Sequence, residues 1–144
     1  MGSYTFHLVC ILHSVAAISC GLLLMFYTNE VFEFTHGKET AIKLMGSTPH
    51  DQLLIQTSYS FSGLLLFALG FLLFMVAFVK DRNFQGFFAR GCVFLHVVTA
   101  LWRIYFYRKV EDLGGSWLRL VVADFFLAMS WVFFLLYTWS EKHD

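Results

Sequence analysis

Charge, proline and cysteine are all scarce in this chain. Only 14% of its 144 residues are charged, against roughly 25% in an ordinary soluble domain. Ten basic and ten acidic residues cancel, so no net field draws the chain to nucleic acid or an anionic surface, and no nucleic-acid partner is expected. A single proline beside 18 phenylalanines excludes a disordered chain, which needs low hydrophobicity. The three cysteines include no C-x-x-C pair, so thiol–disulfide exchange has no equipment here. Cys10 and Cys20 stand about 15 Å apart on one helix, too far to bridge, and with Cys92 they are expected as small buried core residues. Asn29 and Asn83 both lack a hydroxyl residue two positions on, so there is no glycosylation sequon. Gly-x-Ser-x-Gly and a phosphate-cradling glycine loop are missing, and none of H-x-x-H, E-x-x-H or paired carboxylates occurs inside an apolar span. No catalytic residue, no metal and no cofactor are therefore expected.

What the chain does have is apolar surface: 58% of its residues are hydrophobic and 19% aromatic. A soluble domain of this length cannot hide that much. A bilayer core of about 30 Å takes roughly 20 apolar residues in a helix, and four segments qualify, at about residues 4–27, 49–79, 84–107 and 117–139. The third is the weakest because it holds Arg90, His96 and Arg103. Polar residues form only thin, broken stripes along these segments, unlike the full polar face of a soluble amphipathic helix. The expectation is an all-α, single transmembrane domain over residues 1–144: a multi-pass, antiparallel four-helix bundle with a partly interfacial first loop at 28–48. The first segment lacks a basic n-region and a small-x-small cleavage site, so it is expected in the mature protein rather than as a signal peptide. Phe6 stands where a myristoylation motif needs Ser or Thr.

The connections are unequal. Lys80–Asp81–Arg82–Asn83 is a tight polar turn that makes segments two and three an antiparallel hairpin, and residues 108–116 form a second short loop around Gly114–Gly115. Within the long first loop, residues 38–45 suit two turns of interfacial helix, with Phe34, Ile42 and Met45 against the bilayer or capping the bundle. Thr48–Pro49 reads as an N-cap followed by proline at N1, with Asp51 in the first turn. Four spans put both termini on one side. That side carries Lys80, Arg82, Arg90 and Lys142, and the other carries Lys38, Lys43, Arg103, Arg108, Lys109 and Arg119, which tilts the two larger loops toward the cytosol. Tyr4, Tyr27, Trp102, Tyr105, Tyr107, Trp117, Tyr137 and Trp139 fall near span ends, as interfacial belts do.

Ionisable residues at membrane depth face the protein interior by default. Segment three carries His96, Thr99, Arg103 and Tyr107 on one face. Measured from the same membrane side, Arg103 lies about 6 Å deep, Asp124 of segment four about 12 Å and His96 about 16 Å. Asp124 is therefore expected to face inward and pair with Arg103, His96 or both, a polar cluster that either fixes two helices together or handles a ligand or proton. Segment one carries His7, Cys10, Ser14, Ala17 and Gly21 in a narrow stripe, and segment two carries Gln56, Ser60, Gly63 and Gly70. Small residues at helical spacing let helices approach closely in lipid, so the stripes form either a packing seam or the wall of a cavity. His13 and His96 are placed near mid-membrane on different helices, as the axial ligands of a haem would be.

Gly21-Leu22-Leu23-Leu24 before the long loop, and Ser62-Gly63-Leu64-Leu65 and Leu69-Gly70 after it, resemble the DoxX-like group of small four-helix membrane proteins. The closer resemblance is to uncharacterised plant-type transmembrane proteins of similar length. The resemblance implies a compact left-handed four-helix bundle and brings no catalytic residues with it. The expected function is that of an accessory subunit or a lipid-like-ligand-binding bundle, with the lipid bilayer, other membrane subunits or a lipid-like ligand as partners and the endomembrane system (ER or another secretory membrane) as its location. The alternative is a membrane redox or isomerase-type enzyme using the intramembrane His, Arg and Asp residues.

Overall fold

The structure, a computed structural model, describes residues 2–143; Met1, Asp144 and the Asp112 side chain lie outside the described residues. It contains α1 (Gly2–Phe26), α2 (Thr28–His36), α3 (Lys38–Leu44), α4 (Pro49–Val76), α5 (Arg82–Tyr107) and α6 (Trp117–His143), with a 3-10 turn at Glu111–Leu113 before α6. No strand occurs among the described residues. Helices α1, α4, α5 and α6 are long and apolar enough to cross a membrane. The lowest mean hydropathy of the four, 1.4, belongs to α5, the helix that carries Arg90, His96 and Arg103.

Local chemistry fixes the helix ends. Thr48 is extended, its Oγ1 accepts from the Asp51 N–H at 3.1 Å, and Pro49 opens α4 where a missing N–H costs nothing. Asp81 caps α5, its carboxylate accepting from the N–H groups of Asn83 at 2.8 Å and Phe84 at 3.1 Å. That cap starts α5 at Arg82, two residues before the expected boundary, while α4 ends three residues early in a turn at Ala77. The long connection is not a loop carrying one short helix but two consecutive helices. Gly37, at φ +87°, makes the break between α2 and α3, a conformation open to glycine and strained for other residues.

The long helices pack in pairs, α1 with α4 and α5 with α6, so α4 and α5, joined by the tight turn, do not pack along each other as the expected hairpin. α1 lies on α4 with opposed direction: Gly21 meets Gly63, Ala17 and Ile18 meet Gly70, and His7 reaches Ala77. α5 lies on α6 in the same opposed sense, from Phe88 against Trp131 to Arg103 against Asp124. Phe6 joins the pairs by packing on Phe134 and Trp131 of α6 and Phe88 of α5. The buried core gathers at the end holding the α4–α5 turn, around Phe6, Cys10, Ala77, Ala89, Cys92, Trp131 and Phe134. Two of the three cysteines sit there; Cys20 is exposed on the outside of α1 rather than buried as expected. Position 20 precedes the inward Gly21 on a helix of 3.6 residues per turn, which turns it away from the α4 contact.

At the opposite end α2 and α3 cap the helices. Phe32 turns inward and packs edge-to-face on Tyr59 of α4, with ring centroids 4.5 Å apart. Phe34 and Ile42, 88% and 64% exposed, point away from the protein, and Met45 is half-buried.

Candidate functional site

The α1–α4 seam is built from absent side chains. A Cβ added at Gly21 would stand 2.6 Å from the Gly63 carbonyl oxygen, and one at Gly63 would stand 2.6 Å from that of Gly21. Backbones approach this closely only where both residues lack a side chain. The Ser14 hydroxyl donates to the Gly70 carbonyl at 2.7 Å, and the His7 Nδ1–H donates to Ala77 O at 3.0 Å as α4 ends. Gly63, Gly70, Ser14 and His7 therefore face the helix–helix contact. Cys10, on the same stripe, turns into the core.

A second set of polar groups runs through α5, α6 and α1. Arg103 Nε donates to Asp124 Oδ2 at 2.6 Å, and the guanidinium also lies over the Tyr107 ring, 5.6 Å from its centroid. Asp124 is 6% exposed and faces inward. His96 is within electrostatic reach of Asp124, but its closest ring neighbour is His13, edge-on with centroids 5.8 Å apart. Ser130 Oγ lies 2.8 Å from His13 Nε2 and spends its own proton on Leu127 O at 2.6 Å. The serine oxygen is therefore the acceptor, and His13 carries its proton on Nε2. Ligation of a metal through that nitrogen requires breaking this bond. Thr99 stays out of the cluster, its hydroxyl donating back to Leu95 O at 2.8 Å. Among the described residues no three His, Cys, Asp or Glu side chains form a group able to hold a metal ion. Ser130 and Trp131 were not singled out from sequence. A serine within the apolar run Leu127–Leu136 is a polar group at membrane depth, and that is the signal that marks it.

Gln56 and Ser60 leave the seam. With Thr57 of α4 and Thr28, Asn29 and Glu30 of α2 they line a cleft of about 380 Å³ where α1, α2 and α4 meet. Gln56 Nε2 donates to Asn29 Oδ1 at 3.4 Å across it. Met25, Phe26 and Leu53 supply its apolar edge, and Phe26 and Leu53, 71% and 63% exposed, continue that edge onto the outer surface. Gln56 is about 10 Å and Ser60 about 16 Å along α4 from Pro49 at 1.5 Å per residue, so the cleft descends from the helix end into the apolar span.

The capping helices are fastened to the second pair by His36. Ser116 Oγ donates to Leu113 O and receives the His36 Nδ1–H at 2.7 Å. Burial pushes the His36 pKa below its ordinary 6.5, and the nearby Arg119 charge lowers it further.

These features define a small all-helical protein with four membrane-capable helices and polar groups arranged along their contacts. The chain belongs to the family described as Domain of unknown function (DUF7865), which matches residues 1–132. No curated protein and no solved structure matches the chain.

Proposed function

We propose that the protein is an antiparallel four-helix bundle that binds a lipid-like ligand, on its own or as the accessory subunit of a larger membrane assembly. The observation that carries this reading is the cleft between α1, α2 and α4. It is large enough for part of a small amphiphile, polar on its walls, and continuous with exposed apolar side chains at Phe26 and Leu53. An amphiphile needs that combination: hydrogen-bonding groups for its head and an apolar exit for its chain. The opposed register of α1 with α4 and of α5 with α6 supports the antiparallel bundle. Kinship with the DoxX-like group and with plant-type transmembrane proteins, and residence in the endomembrane system, are proposed on the sequence resemblance alone. The remaining polar groups have structural work that accounts for them: Arg103 with Asp124 joins α5 to α6, and His13 with Ser130 joins α1 to α6.

The test is native purification in lipid followed by mass spectrometry of co-purifying small molecules. A bound amphiphile is expected, and Ser60→Leu, which fills the cleft floor, should lose it while the protein still folds. An optical spectrum is the second readout. A Soret band from the purified protein would overturn this reading in favour of redox chemistry at His13 and His96.

A further inference from the structure

We propose that the cleft selects its ligand by head-group charge, taking amphiphiles headed by an amine or amino alcohol and disfavouring those headed by phosphate or carboxylate. This rests on the ligand-binding reading above and adds the chemical class.

The polar lining consists of two carboxamides, Asn29 and Gln56, three hydroxyls, Thr28, Thr57 and Ser60, and one carboxylate, Glu30. No Lys, Arg or His lines it, so an anionic head entering the cleft would meet a like charge and no cation. Glu30 forms no ion pair; the one ion pair among the described residues is Arg103–Asp124, on other helices. Glu30 also stands in the first turn of α2, where a carboxylate complements the helix dipole, so no cation is needed to keep it there. The hydroxyls are unequally engaged. Thr28 donates to Leu24 O at 2.6 Å and Thr57 to Leu53 O at 2.8 Å. Ser60, deepest on α4, makes no such bond back to its own helix, and it is half-buried in the cleft wall. A free hydroxyl and a carboxamide pair at its walls and a carboxylate at its mouth suit a head that donates several hydrogen bonds and carries positive charge. An ammonium beside a hydroxyl does both. The hydrocarbon chain then leaves past Phe26 and Leu53, where the apolar edge opens to the surface.

The probes are photoactivatable, clickable sphingosine and a photoactivatable, clickable fatty acid of equal chain length, added separately to the purified full-length protein in phosphatidylcholine nanodiscs. Cross-linked peptides are mapped by mass spectrometry. Labelling of the outward face of α5, where Phe94 and Leu95 are exposed, serves as the internal measure of partitioning into the bilayer. Normalised to that face, the sphingosine probe is expected to label residues 25–30 and 53–60 in excess over the fatty acid. Glu30→Gln, a surface change, should cut the excess by about two- to fivefold, the range of one exposed ion pair. Equal or stronger cleft labelling by the fatty acid, or a ratio that Glu30→Gln leaves unchanged, would overturn the charge selection while leaving a ligand-binding cleft in place. Cleft labelling by neither probe above the α5 face, or labelling that Ser60→Leu does not reduce, would overturn the ligand-binding reading itself.

Discussion

Asp124 holds a carboxylate at membrane depth with one strong hydrogen bond, the 2.6 Å contact from Arg103 Nε. Removing one partner of a buried pair costs about 3–5 kcal/mol because the other is left stranded. Arg103 keeps 24% of its side chain exposed, so Asp124→Ala should fall at the low end, about 3 kcal/mol, in unfolding measured in detergent micelles. The double change with Arg103→Ala should restore part of that loss; strictly additive losses would show that the two side chains do not depend on each other. This pair was legible in the sequence because depth along two antiparallel helices is simple arithmetic on helical rise. The His13–Ser130 contact was not, because it joins residues 117 positions apart on different helices, and lateral neighbours across a helical assembly leave no mark in spacing. His36 gives a pH dependence. Its folded pKa lies below the ordinary 6.5 through burial and the Arg119 charge, so its contribution to stability is fully present above about 6.5 and is lost as pH falls through the lower folded value. Melting temperature should drop between pH 7 and pH 5, and His36→Gln should flatten that drop. An unchanged pH profile in the variant would remove His36 from the account.

At the scale of the element, the α1–α4 seam rests on backbone contact rather than on side-chain interlocking. Methyl groups have no room at Gly21, where the nearest atoms are the Gly63 oxygen at 2.6 Å and the Phe67 nitrogen at 2.7 Å. Backbone cannot step aside as a flexible side chain does, so Gly21→Ala must push the helices apart and should cost about 1–3 kcal/mol, the ordinary price of overpacking. Gly91 on α5 is the control, since a Cβ there meets nothing within 4 Å. Gly91→Ala should be neutral or stabilise by up to about 1 kcal/mol through helix propensity. Parallel thermal scans of the two variants decide it, and equal behaviour would mean that the seam is looser than its geometry. The stripe that forms this seam could be read from residue size and helical period alone. The two helices of the first connection were only half legible. Residues 38–45 showed an apolar side, whereas residues 28–36 mix Asn, Glu, Phe and His, and their helix depends on Phe32 finding Tyr59, a contact no local pattern announces.

For the whole molecule, the span count came directly from apolar run length, since a helix in lipid satisfies its own backbone and needs no particular neighbour. Which way the molecule faces is a separate matter, decided by charge at the ends. The structure brings the two chain ends together: a Cβ on Gly2 would touch Thr138 and Glu141 side chains, at 3.4 and 2.9 Å, and the α4–α5 turn lies at that same end with Ala77 bonded to His7. The other end carries α2, α3 and the 3-10 turn, and with them Lys38, Lys43, Arg108, Lys109 and Arg119. Exposed Trp and Tyr mark both ends, Tyr4, Tyr137 and Trp139 at one and Tyr27, Trp102 and Tyr105 at the other, where amphipathic rings settle at head-group level. If all four helices cross, both termini emerge on one face of the membrane, and the charge excess in the capping helices and the α5–α6 loop then predicts that the opposite end faces the cytosol. Single cysteines introduced as Ser3→Cys and Lys142→Cys, in a chain whose own three cysteines are replaced by serine or alanine, should react together with a membrane-impermeant maleimide applied from the non-cytosolic side. A cysteine at Lys43 should be protected until the membrane is permeabilised. Labelling of positions 3 and 142 from opposite sides would mean an odd number of crossings, while labelling of position 43 with both termini protected would keep four crossings and reverse the orientation.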